Sequence, residues 1–153
     1  MNKYINKYKR YNRIYNLLVN ELKKTKTNNI DFIFGSDKTS INKIDNRYLL
    51  TYEPGELLRF YKNNSFCDFK GRYRPQNFSI KKFFIIVLYH ELGHKILGHC
   101  EFKKEIDNPI YKKLYNKIGR KAIYLYPEII QKQADRYALN KITLTKWFLY
   151  AIL

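Results

Sequence analysis

Glycine, proline and cysteine are all scarce in this chain of 153 residues, which contains 6 Gly, 4 Pro and 2 Cys. So few glycines and prolines argue against a string of modules joined by linkers, and no repeat is visible at the periods of solenoid proteins. The two cysteines, Cys67 and Cys100, are too few to stabilise a domain of this size by disulfide bonds, and they lack the spacing of a metal-binding pair. Residues 1–153 are therefore expected to form a single domain in a reducing compartment.

Long apolar runs are also missing from the chain. The longest one, residues 83–89, is far below the roughly 20 residues that span a bilayer. The N-terminus is polar and has no apolar core of a secretion signal. We therefore expect a cytoplasmic protein with no membrane span.

Acidic residues are few, since 13 Asp and Glu stand against 30 Lys and Arg and leave a net charge of +17. A surface of this charge favours acidic partners such as nucleic acid or an acidic protein. The lysines are spread along the chain together with abundant Asn, Ile and Tyr, however, so amino-acid usage alone is an alternative explanation. Nucleic-acid binding through a basic surface has no helix-turn-helix or zinc-finger signature to support it.

Hydrophobic residues make up 45% of the chain and aromatic residues 17%, which is typical of a packed core rather than of disorder. In the N-terminal half, apolar residues at helical spacing predict an amphipathic helix over residues 3–24. Two β-type runs, residues 31–34 and 47–53, predict a small antiparallel sheet. Residues 56–69 fit either a strand or a short helix.

The C-terminal half is predicted to be helical. Residues 79–99 are apolar on most sides, which indicates a helix in the middle of the domain. A capping asparagine and a first-turn proline begin a second helix that lasts to residue 119. Pro127 is predicted to open a third helix as far as residue 141, and residues 143–153 a fourth. The predicted fold class is α+β, a mostly helical domain with a small antiparallel sheet in its N-terminal half, packed on the central helix.

The central helix carries the motif H-E-x-x-H as His90, Glu91 and His94. Two imidazoles at positions i and i+4 project from one helical face and can share a tetrahedral zinc ion. Glu91 is turned about 100° from His90, which places it beside the metal rather than on it. There it can act as general base, taking a proton from the water that zinc makes more acidic and giving it to the leaving amine.

A chance grouping of polar residues is the alternative, with Glu91 solvated or paired with Lys95. All three histidines of the chain lie within ten residues, however, on its most apolar helix. Two imidazoles and a carboxylate would be costly to bury there without a metal to satisfy them. We therefore predict zinc as the cofactor.

His99 lies five residues after His94, about 140° further round an ideal helix and on the wrong face for the same metal. A turn at Gly98 could still redirect it. His99 is therefore expected to be a helix-end or core histidine, with a role as third ligand as the alternative.

The third ligand is otherwise expected to be a carboxylate from a separate helix, which leaves a fourth position open for water. Glu128, Gln131 and Asp135 fall at i, i+3 and i+7 of the helix predicted after Pro127, which places all three on one face. Gln133 points elsewhere.

The segments HELGHKILGH and QKQADRYA resemble those of the ImmA/IrrE-type metallopeptidases, a group of minimal gluzincins, over roughly residues 78–142. In that family a Glu at the position of Gln131 is the third zinc ligand, and an Asp or Asn at the position of Asp135 steadies a ligand histidine. The resemblance implies a zinc-dependent endopeptidase that cleaves a repressor or other regulatory protein, acidic or DNA-bound, in a phage, mobile-element or stress circuit.

Gln131 departs from this pattern, because an amide oxygen is a poorer zinc ligand than a carboxylate. Glu128, one turn earlier, could replace it after a shift of about 5 Å, or remain a solvated first-turn acid. The alternative function is a catalytically impaired zinc-helix domain that binds nucleic acid or protein through its basic surface. A toxin-like effector acting by the same zinc chemistry is a third hypothesis.

Overall fold

The computed structural model of the chain describes residues 11–64 and 75–152, with side chains as far as residue 142. Contacts divide the chain into two compact units, Met1–Leu88 and Tyr89–Leu153. Their boundary falls inside the helix that carries the H-E-x-x-H motif, so the single domain over residues 1–153 stays a prediction. Cys67 lies outside the described residues.

The first unit begins with helix α1 (Asn12–Lys24), followed by strands β1 (Ile30–Phe34), β2 (Ser40–Ile44) and β3 (Arg47–Tyr52) and helix α2 (Pro54–Lys62). The predicted first helix is confirmed from Asn12 onward, and residues 3–10 lie outside the described part. The helix buries Leu18 completely, while its Tyr15 ring stacks on Phe32 of β1 with 6.1 Å between the ring centroids. An aromatic and aliphatic face thus joins α1 to the sheet.

The sheet is mixed, with the strand order β1-β3-β2, so the prediction of an antiparallel sheet is wrong for one of its two pairings. Strands β2 and β3 form an antiparallel hairpin, helped by Asp45, which has a positive φ of 53° at the turn. Strand β1 then runs parallel to β3. The difference arises because β2 was not predicted: only Ile41 of this strand is buried, so it lacks the alternation that marks a strand.

Helix α2 resolves the ambiguous stretch after β3. The Glu53 side chain accepts a hydrogen bond of 2.9 Å from the backbone N–H of Gly55, and Pro54 occupies the first turn. An acceptor at the N-cap followed by a proline is a strong helix start. Residues 56–62 are therefore helical, and residues 65–69 lie outside the described part.

Helix α3 (Ile80–Ile96) is the predicted apolar helix and carries the motif. Its first half is fully buried at Phe83, Phe84, Ile86, Val87 and Leu88. The buried Tyr52 of β3 donates a hydrogen bond of 2.8 Å to the carbonyl of Phe84, which fixes the sheet to this half of the helix. The predicted α+β fold, with its sheet in the N-terminal half, is confirmed.

The second unit adds helices α4 (Pro109–Ile118) and α5 (Ala122–Ile152) to the end of α3, with short 3-10 turns at Glu105–Asp107 and Gly119–Lys121. The predicted cap of α4 is confirmed, because the Asn108 side chain accepts 2.9 Å from the backbone N–H of Ile110. Tyr111 of α4 packs edge-on against Tyr126 of α5 with 5.4 Å between centroids. This contact joins the two helices.

The prediction that Pro127 opens a helix is wrong, because α5 begins five residues earlier, at Ala122. Ala122 and Tyr126 lie one turn apart and are both buried in the core with Tyr111, which favours a helix before the proline. No Gly or Pro follows Pro127 in the chain. The two helices predicted over residues 127–141 and 143–153 are therefore one helix, apart from Leu153, which lies outside the described part.

Within residues 11–64 and 75–152, no helix combines the length and the apolar character needed to cross a membrane.

Candidate functional site

His90 and His94 face each other inside the second unit, one turn apart on α3. Their side chains are almost fully enclosed, with 1% and 8% of their surface exposed. The two Nε2 atoms are 3.2 Å apart, and the rings meet edge to face. The i, i+4 spacing thus directs both Nε2 atoms to the same side of the helix, close to each other, as the motif predicts.

Gln131 of α5 completes a triangle with the two imidazoles. Its Oε1 lies 2.9 Å from His90 Nε2 and 3.1 Å from His94 Nε2. This is the position where the ImmA/IrrE resemblance implies the third ligand.

Asp135, one turn after Gln131, holds His90 from its other side. Its Oδ1 lies 2.7 Å from His90 Nδ1, and both groups are buried. An ionised carboxylate can only accept, so Nδ1–H donates to it and the lone pair of a neutral His90 remains on Nε2, facing Gln131. Asp135 therefore lies where the resemblance implies a residue that steadies a ligand histidine.

Glu128 pairs with a lysine of its own helix. Its side chain is 44% exposed, and its carboxylate forms a salt bridge of 3.1 Å with Lys132, four residues later on α5. Residues three apart share a helical face only approximately, because each step of three falls short of a full turn. Gln131 is the residue of this face whose hydrogen bonds reach both histidines.

Glu91 is buried on α3 directly after His90, with 8% of its surface exposed. The negative charge of Glu91 affects the pKa of the Cys100 thiol, which follows the turn at the end of α3. Burial, with a further contribution from the carboxylates of Glu91 and Glu101, raises the pKa of the Cys100 thiol to about 11. Cys100 therefore stays a protonated thiol near neutral pH.

Gly93 lets α5 approach α3 at the height of the site. A Cβ atom on Gly93 would lie 3.0 Å from Cδ1 of Tyr137 and 3.3 Å from the backbone of Ala134. Both contacts are tighter than ordinary van der Waals packing. Since Ala134 lies on α5 between Gln131 and Asp135, the absent side chain at position 93 allows both polar residues to reach the imidazoles.

The three facing atoms are spaced much like the ligand atoms of a zinc ion. Tetrahedral zinc with bonds of about 2.0 to 2.1 Å keeps its ligand atoms about 3.3 Å apart, and the separations between the two Nε2 atoms and Oε1 are 3.2, 2.9 and 3.1 Å. Over the described ranges, no group of three or more His, Cys, Asp or Glu side chains is placed to hold a metal ion. The third donor here is instead an amide oxygen.

His99 and Gln133 belong to the same cluster, although sequence reasoning placed both away from it. His99 Nδ1 lies 2.9 Å from His94 Nδ1, and His99 Nε2 lies 2.9 Å from Gln133 Oε1. Gly98, with a positive φ of 76°, ends α3 in a turn that brings His99 back. This glycine is the one feature of the sequence that could have indicated the contact.

Burial keeps two of these imidazoles neutral. Burial, followed by the neighbouring imidazoles of His90 and His99, lowers the pKa of His94 from its usual 6.5 to about 3. The pKa of His99 is also lowered, mainly by burial. A neutral imidazole is the form that can donate its lone pair to a metal.

No family model matches the chain, and no curated protein and no solved structure matches it either.

Replacing Gly93 by Ala is expected to lower the free energy of unfolding by about 1 to 3 kcal/mol, because the new methyl group overlaps Tyr137 and the backbone of Ala134. Urea unfolding followed by circular dichroism measures the change. Arg136→Ala, an exposed change on the facing helix, serves as the control and is expected to stay within about 0.5 kcal/mol of wild type. A Gly93→Ala protein as stable as wild type would contradict the close approach of the helices.

The metal-free protein is expected to lose stability as the pH falls from 7 to 5. His94 and His99 have lowered pKa values when folded, so the unfolded chain binds more protons below its histidine pKa of about 6.5 and is favoured there. For each histidine that is protonated in the unfolded chain but not in the folded protein, the free energy of unfolding falls by at most about 1.4 kcal/mol for every unit by which the pH is lowered. Urea unfolding in the presence of a chelator, at half-unit pH steps, measures the slope, and a flat profile over this window would contradict neutral buried imidazoles.

Proposed function

We propose that this protein is a zinc-dependent endopeptidase whose metal is held by His90, His94 and Gln131. The observation that carries this proposal is the convergence of His90 Nε2, His94 Nε2 and Gln131 Oε1, all within 3.2 Å of one another, with both imidazoles buried. The amide oxygen can only accept hydrogen bonds, and the Asp135 carboxylate accepts a hydrogen bond from Nδ1–H of His90, which leaves the lone pair of the neutral ring on Nε2. Two lone pairs therefore face each other beside His94, which favours a cation between them.

The reacting groups are those of a two-histidine zinc peptidase. When bound, zinc polarises the scissile carbonyl and makes water more acidic. Glu91, buried next to His90, accepts a proton from the attacking water and passes it to the leaving amine. Asp135 holds His90 in the tautomer that presents Nε2 to the site.

The ImmA/IrrE resemblance supports the choice of a regulatory protein as substrate. The contacts of Asp135 with His90 and of Gln131 with both imidazoles are in keeping with the pattern on which that resemblance rests. The net charge of +17 suits an acidic or DNA-bound substrate. We propose the cytoplasm as its location, where two cysteines remain reduced.

A catalytically impaired zinc domain is the second candidate function, favoured by one observation. The third donor is a neutral amide, while Glu128, the nearest acid earlier on α5, is exposed and paired with Lys132. An amide oxygen is neutral and donates less charge to the metal than a carboxylate does, so it binds zinc more weakly. In that case the basic surface would bind nucleic acid or an acidic protein.

Glu91→Gln separates the two functions. The variant is expected to bind zinc like the wild type but to lose about 100- to 10,000-fold in cleavage rate, because only the proton acceptor is removed. Zinc content is measured by mass spectrometry of the purified protein, and cleavage by the release of labelled peptides from an unstructured acidic protein such as casein. His94→Asn, which removes a metal donor, is the matched control and should lose both.

Zinc binding without Glu91-dependent cleavage would favour the impaired domain. A wild-type protein that takes up no zinc at a saturating concentration of the ion would reject both functions.

Gln131→Glu is expected to strengthen zinc binding by about tenfold or more, because it places a carboxylate where the amide oxygen now lies. Glu128→Gln is the control and is expected to leave the affinity unchanged, since Glu128 faces solvent and Lys132. Competition with a fluorescent chelator measures both dissociation constants. If Glu128→Gln weakens binding as much as His94→Asn does, Glu128 rather than Gln131 is the third ligand.

A further inference from the structure

We propose that His99 and Gln133 are positioning residues that hold His94 in the tautomer with its proton on Nδ1 and its Nε2 lone pair turned to the metal position. This inference rests on the proposed zinc site but concerns residues outside the three proposed ligands. It depends on the hydrogen-bonded series from Gln133 through His99 to His94, in which both separations are 2.9 Å.

The end of α3 brings His99 to His94. Gly98 has a positive φ of 76°, its N–H bonds to the carbonyl of Lys95 at 3.2 Å, and the N–H of His99 bonds to the carbonyl of His94 at 2.9 Å. These two bonds define a Schellman motif, in which the residue after the glycine contacts the residue five positions before it. That contact is ordinarily between two apolar side chains, and here it is between two imidazoles.

The direction of the hydrogen bonds follows from Gln133. Its Oε1 faces His99 Nε2, so Nε2 of His99 must carry the proton and Nδ1 of a neutral His99 must accept. Among the residues that the structure describes, the donor that faces this acceptor is His94 Nδ1, 2.9 Å away. His94 Nε2 is then left without a proton, 3.2 Å from His90 Nε2.

His90 is held in the same tautomer, with its proton on Nδ1, by a different partner. The Asp135 carboxylate accepts from His90 Nδ1 at 2.7 Å, whereas His94 reaches its acceptor, Gln133, through the intervening ring of His99. Orienting partners of this kind fix both the tautomer and the direction of a ligand imidazole. The series also explains why His99 is not itself a ligand, since both of its ring nitrogens are engaged.

Four variants and two measurements test the assignment. His99→Leu removes the acceptor next to His94, His99→Asn restores an oxygen near the Nδ1 position, and Gln133→Leu removes the end of the series. Asn140→Leu makes the same kind of polar-to-apolar change at an exposed position of α5 and is the matched control. Zinc affinity is measured by chelator competition, and thermal unfolding checks that each variant is folded.

The second measurement is nitrogen NMR of the metal-free protein with labelled histidine, which gives signals from only three imidazoles. We expect His94 to carry its proton on Nδ1 in the wild type and in His99→Asn. In His99→Leu we expect it to lose that preference. A merely structural role of His99 would not change the tautomer of a neighbouring ring.

For zinc, His99→Leu and Gln133→Leu are each expected to weaken binding by about 10- to 100-fold, whereas His99→Asn and Asn140→Leu should stay within about threefold of wild type. Unchanged affinity in a folded His99→Leu, or a proton on Nε2 of His94 in the wild type, would overturn the assignment. If His99→Leu does not fold, Gln133→Leu decides by the same two measurements. A wild type that binds no zinc rejects the proposed function alone, because the tautomer is determined without metal.

Discussion

The meeting of two Nε2 atoms with one amide oxygen is the constraint around which the second unit is arranged. The two imidazoles are buried and the amide is part-buried, and the three atoms lie within 3.2 Å of one another. Acceptor atoms held together in this way need a proton or a cation between them. The small residues Gly93 and Ala134 let the two helices approach closely enough to bring the three atoms together, so the backbone packing and the polar cluster depend on each other.

The parts of the site that obey helical periodicity were predictable. His90 and His94 are one turn apart on the apolar helix α3, and Asp135 follows Gln131 by one turn on α5. Helical periodicity could not predict the position of a residue that lies beyond the end of a helix. His99 is on the wrong face of an ideal helix and reaches His94 only because the Gly98 turn reverses the chain. Gln133 lies off the face shared by Gln131 and Asp135, and its contact is with His99.

Periodicity alone was also too coarse to choose between Glu128 and Gln131, which share a face three residues apart. The choice depends on how deep each position lies, and Glu128 is near the exposed beginning of α5, where Lys132 is its partner. The same limit explains the fold errors. Strand β2 has a single buried residue, so its pattern is weak, and α5 begins before Pro127 because buried Ala122 and Tyr126 extend it backwards.

Gln131, Gln133 and Asp135 all belong to α5, yet between them they contact every imidazole of the chain. The three rings therefore share one supporting helix. A small rotation of that helix about its own axis would withdraw the partners of all three rings in a single movement, so the alignment of the cluster is lost or kept as a whole rather than ring by ring.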